Sequence, residues 1–188
     1  MATAVKTLQD GGIVIFPTDT LYALGCDALN NRAVERLCSV KGLNPEKHLL
    51  SIVCDGISMA SEYARIDNKA FRILKGSLPG AYTFILPSST RLPRAFKGRK
   101  SVGVRVPDND VARELARALG HPLLTTSVEI DDEAEVVEPA SIAMHYDGRA
   151  DIILDNGTGG TVPSTIVDIT DAASPEVVRQ GAAPFDEN

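Results

Sequence analysis

Short apolar runs rich in β-branched residues, each closed by a turn former and separated from the next by a stretch with helical spacing, leave this chain few folds to choose from. The first run is Ile13 to Phe16, four apolar residues that are too few for a helix and are stopped by Pro17, so it reads as a core strand. Further strand-like runs lie at Leu49 to Cys54, Tyr82 to Leu86, Val102 to Val106, Leu123 to Thr126, Asp151 to Leu154, Thr165 to Ile169 and Val177 to Arg179. Helical spacing fills the gaps. Ala2 to Gln9 ends at Gly11 and Gly12, and Arg32 to Lys41 carries Ala33, Val34, Leu37 and Cys38 on one face and stops at Gly42. Asp67 caps a helix that buries Ala70, Phe71 and Leu74 and ends before Pro79; Asp108 opens another that buries Val111, Ala112, Leu115, Ala116 and Leu119 before Gly120. A last one spans Pro139 to Tyr146. About seven or eight strands thus interleave with helices, some joined closely enough for antiparallel pairing and others by a crossover helix, which predicts an α/β fold with a twisted mixed sheet. Nothing in the chain suggests a linker or a repeat, so residues 1–188 are expected to form a single domain.

A content of 44% hydrophobic residues in 188 supports one sizeable core that buries roughly 70% of the unfolded surface. The formal net charge of -6 excludes a protein whose main task is coating nucleic acid, although a local basic face stays compatible with it. Cys26, Cys38 and Cys54 are widely spaced with no CxxC pair, which points to buried free thiols rather than a zinc site or a disulfide framework. Neither a charged-then-apolar leader nor a run long enough to span a bilayer is present, so a cytoplasmic location without membrane partners is expected.

Beyond the first strand, Thr18, Asp19, Thr20 and Tyr22 bring donors and acceptors to its tip without an obvious nucleophile, which reads as a binding floor. Phosphotransferases that work with two aspartates two residues apart are excluded, because positions 17 and 21 are Pro and Leu and leave Asp19 without a partner carboxylate. In "NGTGGTVPSTIVDIT", Gly157, Gly159 and Gly160 lead into a strand rather than a helix, so they read as a turn and not as a phosphate cradle. His48, His121 and His145 form no catalytic pair by spacing.

Taken together and in order, "FPTDTLYALGCD", "KGLNPEKHL", "LPGAYTFIL", "SVGVRVPDN", "LLTTSVE" and "VPSTIVDIT…VVRQG" resemble the Sua5/YrdC/YciO family of L-threonylcarbamoyladenylate synthases over about residues 9 to 181, closest to the YciO branch. The resemblance implies a YrdC-like domain whose twisted mixed sheet and helices surround a concave, often basic cavity. It also implies a reaction that joins L-threonine, bicarbonate and ATP, with Mg2+, into threonylcarbamoyl-AMP and diphosphate for modification of a tRNA adenosine.

When the nucleophile is the substrate's own amine, a site needs positioning more than an activated side chain. The short hydroxyls Thr18, Thr20, Ser127 and Ser164 suit that role, and the resemblance assigns them to threonine. Arg105 ends an apolar strand, where a guanidinium can hold the threonine carboxylate through two parallel hydrogen bonds. By the same resemblance Lys41, Lys47, Ser101 and Arg179 fall on the nucleotide side, the lysines as point charges for the triphosphate.

Two positions depart from the synthase pattern. Leu43 stands where the synthases carry Arg, and Glu129 ends a Ser-x-Asn triplet as Ser127-Val128-Glu129. A lost charge-assisted hydrogen bond costs about 1.5 to 3 kcal/mol, and a carboxylate near phosphate repels it by roughly 4 kcal/mol at 4 Å and an effective dielectric of 20. Separately, Arg91, Arg94, Lys97, Arg99 and Lys100 follow one another without an acidic residue, either as a solvated loop or as a phosphate-facing rim, with "DDEAEVVE" able to neutralise them if it folds alongside. A second function therefore stands beside the synthase: a module that binds a nucleotide, double-stranded RNA or tRNA with weak or no synthase activity.

Overall fold

A computed structural model of the chain describes residues 1–44, 47–92, 98–128 and 137–186. Local chemistry accounts for most helix ends. Helix α1 (Ala2–Gln9) stops ahead of Gly11, whose φ of 84° a side chain would resist. Helix α2 (Asn31–Lys41) opens on Asn30, whose side chain accepts from the N–H groups of Arg32 and Ala33, and closes on Gly42 in the left-handed region. In α4 (Asn68–Ser77) the Asp67 carboxylate accepts from the Ala70 N–H at 2.8 Å. The next cap, for α5 (Asp110–Leu119), is Asn109 rather than Asp108, because the Asn side chain reaches the Ala112 N–H. Helix α6 covers Pro139–His145. Helix α3 (Ile57–Tyr63) was not expected: Gly56 before it gives no side-chain cap, and only Ala60 and Tyr63 are buried. Phe71, expected inside, is 45% exposed, since Ala70 and Leu74 one turn apart take the inward face of α4 and Phe71 falls beside it.

Nine strands are named among the described residues: β1 (Val14–Phe16), β2 (Ala23–Asp27), β3 (Ser51–Val53), β4 (Tyr82–Pro87), β5 (Ser101–Arg105), β6 (Leu123–Ser127), β7 (Ile152–Ile153), β8 (Thr165–Asp168) and β9 (Glu176–Arg179). They form one sheet in the order β7-β1-β2-β6-β3-β5-β4-β8-β9. The pairs β1/β7, β3/β5 and β4/β8 are parallel and the remaining five antiparallel, so the sheet is mixed as the connections implied. Strand β2 is the addition to the expected set. It pairs directly with β1, which makes the hydroxyl-rich segment after Pro17 the loop of a hairpin.

Alternate residues of each strand face opposite sides, and the two sides are covered unequally. On one side Ile15, Leu24, Ile52, Phe84, Val104 and Leu124 join residues of α2, α3, α4 and α6 in the larger core. On the other side Val14, Phe16, Ala23, Val53 and Leu123 pack beneath α1 and α5. That second cover is partial. Two residues along the same face from Val53 and Leu123, the side chains are Ser51 and Thr125, and the apolar layer gives way to a polar one.

Candidate functional site

The uncovered half of the second face is the floor of a cavity of about 190 Å³. Register explains its composition. Thr125 pairs with Ser51 and Ser51 with Gly103, so three neighbouring strands present a threonine, a serine and a bare backbone side by side. A Cβ at Gly103 would collide with Ser51 Oγ and come within 3.2 Å of Thr83 Cγ2, so the glycine keeps the floor open. Two residues on from Gly103 and Thr125, along the same face, stand Arg105 and Ser127. Thr83 on β4 and Ser164 just before β8 are both buried and share a hydrogen bond at 2.8 Å.

The hairpin loop between β1 and β2 builds one wall. The Thr18 hydroxyl donates to the Leu21 carbonyl at 2.6 Å, which uses its proton, so the 3.1 Å contact between Thr18 Oγ1 and Thr20 Oγ1 is donated by Thr20. Thr20 Oγ1 in turn accepts from Arg105 Nη2 at 3.1 Å. With its own proton spent, Thr20 faces the cavity as an acceptor only. Tyr22 anchors the segment that passes over it: its hydroxyl donates to the Gly157 carbonyl at 2.7 Å and accepts from the Asn156 N–H at 3.0 Å. Gly159 lies so near the Tyr22 ring that a Cβ would sit 2.5 Å from it, and the Gly160 N–H donates to the Thr20 carbonyl at 3.1 Å. The glycine-rich turn is therefore a strap over the hairpin loop that delivers Pro163 and Ser164 to the opposite wall.

Arg105 dominates the electrostatics. Its side chain is 12% exposed and its Nη2 donates to Asp19 Oδ1 at 2.9 Å, while its Nε is buried with no hydrogen-bond partner among the described residues. Burial pushes the Arg105 pKa down, the Asp19 carboxylate pushes it back up, and Arg179 lowers it again, which shows two guanidinium charges felt in one place. Arginine stays protonated under such shifts. Arg179 itself reaches back from β9 to donate through Nε and Nη2 to the Ser164 carbonyl. The arrangement offers donors with positive charge at Arg105, an acceptor at Thr20 and small hydroxyls between, which is the inventory for a small molecule that carries an anionic group and a hydrogen-bond donor.

Of the residues expected for threonine, Thr20, Arg105, Ser127 and Ser164 line the cavity together with Arg179, and Thr18 stands behind Thr20 as its hydrogen-bond partner. Lys41, Lys47 and Ser101 are not part of the lining: Lys41 lies in the last turn of α2, Lys47 in the exposed turn after it, and Ser101 opposite Pro87 at the start of β5. Leu43 packs against the larger core while its N–H donates to the Cys38 carbonyl at 2.8 Å, so it closes the end of α2 as an apolar residue should. Arg94, Lys97 and Glu129, and most of the "DDEAEVVE" stretch, lie outside the described residues. In the rest of the basic stretch, Arg91 pairs with Glu62 at 2.6 Å, Arg99 donates to the His48 carbonyl, and Lys100 is exposed. Asp19 was expected on the binding floor and stands behind it, paired with Arg105, whereas Ser51, Thr83, Gly103 and Thr125 were not foreseen at the site. These four had a signal available, since stepping back by two from Arg105 and Ser127 reaches Gly103 and Thr125; pairing then reaches Ser51 and Ile85, and Thr83 lies two residues from Ile85 on the same face.

Known proteins share this arrangement of chain. The Sua5/YciO/YrdC family model, which carries the description telomere recombination, matches residues 6–181. YciO of Escherichia coli is 39% identical over 95% of this chain and 87% of its own length, and its crystal structure superimposes with a TM-score of 0.87. The threonylcarbamoyl-AMP synthase of Halorhodospira halophila is 32% identical over 84% of this chain and 83% of its own. The crystal structure of Pyrococcus abyssi Sua5 complexed with L-threonine gives a TM-score of 0.85 at 30% identity, covering 95% of this chain and 53% of that one.

Proposed function

The chain belongs to the Sua5/YciO/YrdC family, and on that footing we propose that its cavity binds L-threonine and that the protein joins it with bicarbonate and ATP into threonylcarbamoyl-AMP and diphosphate, an activated group for a tRNA adenosine. The observation that carries the reading is the Arg105 guanidinium on the cavity wall, its buried Nε without a hydrogen-bond partner among the described residues, next to the acceptor-only hydroxyl of Thr20 that its Nη2 contacts. A carboxylate satisfies the first and an amine N–H the second, and in an α-amino acid the two groups are held one carbon apart. The cavity volume of about 190 Å³ suits a ligand of that size and falls below the roughly 300 to 1,000 Å³ of drug-sized sites.

In the proposed reaction the threonine nitrogen forms a bond to the carbon of bicarbonate with loss of water. The resulting carbamate oxygen then displaces diphosphate from the α-phosphorus of ATP. No side chain need act as nucleophile; Arg105 holds the carboxylate, and Thr20, Ser127 and Ser164 orient the amine and the hydroxyl. Arg179 at the cavity edge, with Lys41, Lys47 and Ser101 further out, supplies the nucleotide side, where Mg2+ bound to ATP would offset the charge of its phosphates. Diphosphate release measured with L-threonine, bicarbonate and ATP, each omitted in turn, tests the whole reading: release is expected only when all three are present.

One observation favours a second reading. Leu43 fills an apolar position at the end of α2 and brings no charge to a triphosphate. Under this alternative the protein binds a nucleotide or RNA with little synthase activity, and the same assay then shows no threonine-dependent release although ATP binds.

A further inference from the structure

Asp19 contributes nothing to the cavity lining, yet its carboxylate is nearly enclosed, with the side chain 10% exposed and both oxygens engaged. Oδ1 accepts from Arg105 Nη2 at 2.9 Å and Oδ2 from the backbone N–H of Asp108 at 2.9 Å. The two donors belong to one stretch of chain, the end of β5 and the three residues after it. A single carboxylate thus ties the Arg105 side chain to the backbone just beyond its own strand and holds both against the hairpin loop.

We infer that Asp19 is a positioning residue that aims Arg105 into the cavity and thereby sets the affinity for an amino-acid carboxylate, an inference that rests on the reading of the cavity as an L-threonine site. Arginine has a long side chain with many rotamers, and in a cavity lined by hydroxyls it has several acceptors to choose from. Asp19 and Thr20 both take hydrogen bonds from Nη2, which fixes that nitrogen and with it the plane of the guanidinium, while the buried Nε has no partner among the described residues. Removing Asp19 frees the guanidinium to turn and leaves a poorly hydrated cation without its counter-charge. Asp19 acts through Arg105 and does not touch the ligand.

Asp19→Asn keeps the size of the side chain and an acceptor for the Asp108 N–H but removes the charge; Asp19→Ala removes both. In the folded variants the calorimetric Kd for L-threonine is expected to rise by about tenfold for Asn and further for Ala, the range for one charge-assisted hydrogen bond. In the diphosphate assay the KM for L-threonine should rise more than the KM for ATP, a split that general loosening of the fold does not produce. A second measurement is independent of any ligand: the Nε–H resonance of Arg105, assigned by its absence from Arg105→Lys, should lose order in both Asp19 variants. Wild-type L-threonine affinity in folded Asp19→Ala overturns the inference. Should the wild type itself bind no L-threonine, the proposed function falls and the resonance alone decides, an Arg105 as ordered in Asp19→Ala as in wild type overturning the role of Asp19.

Discussion

Arg105 and Gly103 show how two positions on one strand divide the work of a site. Arg105→Ala is expected to weaken L-threonine binding by about 1.5 to 3 kcal/mol, and Arg105→Lys to recover only part of it, because an ammonium keeps the charge and loses the planar fork. Calorimetry on the folded variants checks both, and an unchanged affinity in Arg105→Ala removes the residue from the site. Gly103→Val should act differently. Its side chain would enter the space between Ser51 and Thr83, so binding is expected to fall through lost volume while Arg105 stays in place; a wild-type Kd in that variant would contradict the position of the cavity floor. At this scale the sequence revealed what a strand end advertises. An arginine after an apolar run is conspicuous, but its pairing with Asp19 spans 86 positions, and no local pattern announces it.

Elements differ in how openly they declare themselves. Helices with an Asn or Asp cap and a glycine or proline stop could be read to within a residue or so, as α2 and α4 were, while α3 lacks a side-chain cap and β2, "ALGCD", mixes glycine and aspartate into a strand that only its neighbours stabilise. The end of α2 carries a prediction of its own. Leu43→Arg, alone or with Glu129→Asn, adds charge for the triphosphate and removes an apolar contact from the helix stop. ATP affinity is therefore expected to rise, most in the double variant, while the urea midpoint falls; titration of ATP together with urea unfolding separates the two effects, and a wild-type ATP affinity in the double variant places the loss of the synthase pattern elsewhere. A second element-level device joins α2 to the sheet. Asp151 accepts from Arg36 and from the Ile13 N–H, and these bonds, the one from Arg36 foremost, hold its carboxyl below the usual 3.8 against the opposing effect of burial. A carboxyl depressed in the folded state contributes stability above its unfolded value and loses it as pH falls through the folded one. Asp151→Asn should accordingly be less stable than wild type near neutrality and approach it under acid, and parallel urea midpoints at every pH would contradict the assignment.

For the whole molecule, the mixed α/β architecture followed from the interleaving of runs, whereas strand order did not, because β6 inserts between β2 and β3 and no residue pattern records that choice. The three cysteines, expected as buried free thiols, are buried and free, and burial, ahead of the nearby Asp27 and Asp55 carboxylates, pushes the thiols of Cys26 and Cys54 far above their usual range. Thiol reagents at mildly alkaline pH should leave Cys26 and Cys54 untouched in the native state and modify them on unfolding, so their labelling rate measures opening of the core; rapid native labelling of either would contradict its enclosure.

The insertion of β6 also orders events in time. Thr20 leaves a ribosome long before Thr125 and Ser127, so its cavity lacks both until β6 slots between two strands made earlier, and lacks Ser164 and Arg179 until later still. A nascent chain shorter than this has no place for substrate and leaves β4 as a raw sheet edge, open to pairing with other chains. Substrate can therefore engage only molecules whose synthesis has passed Arg179 and whose non-local pairings are complete, and in engaging them it withdraws finished protein from the pool exposed to misassembly.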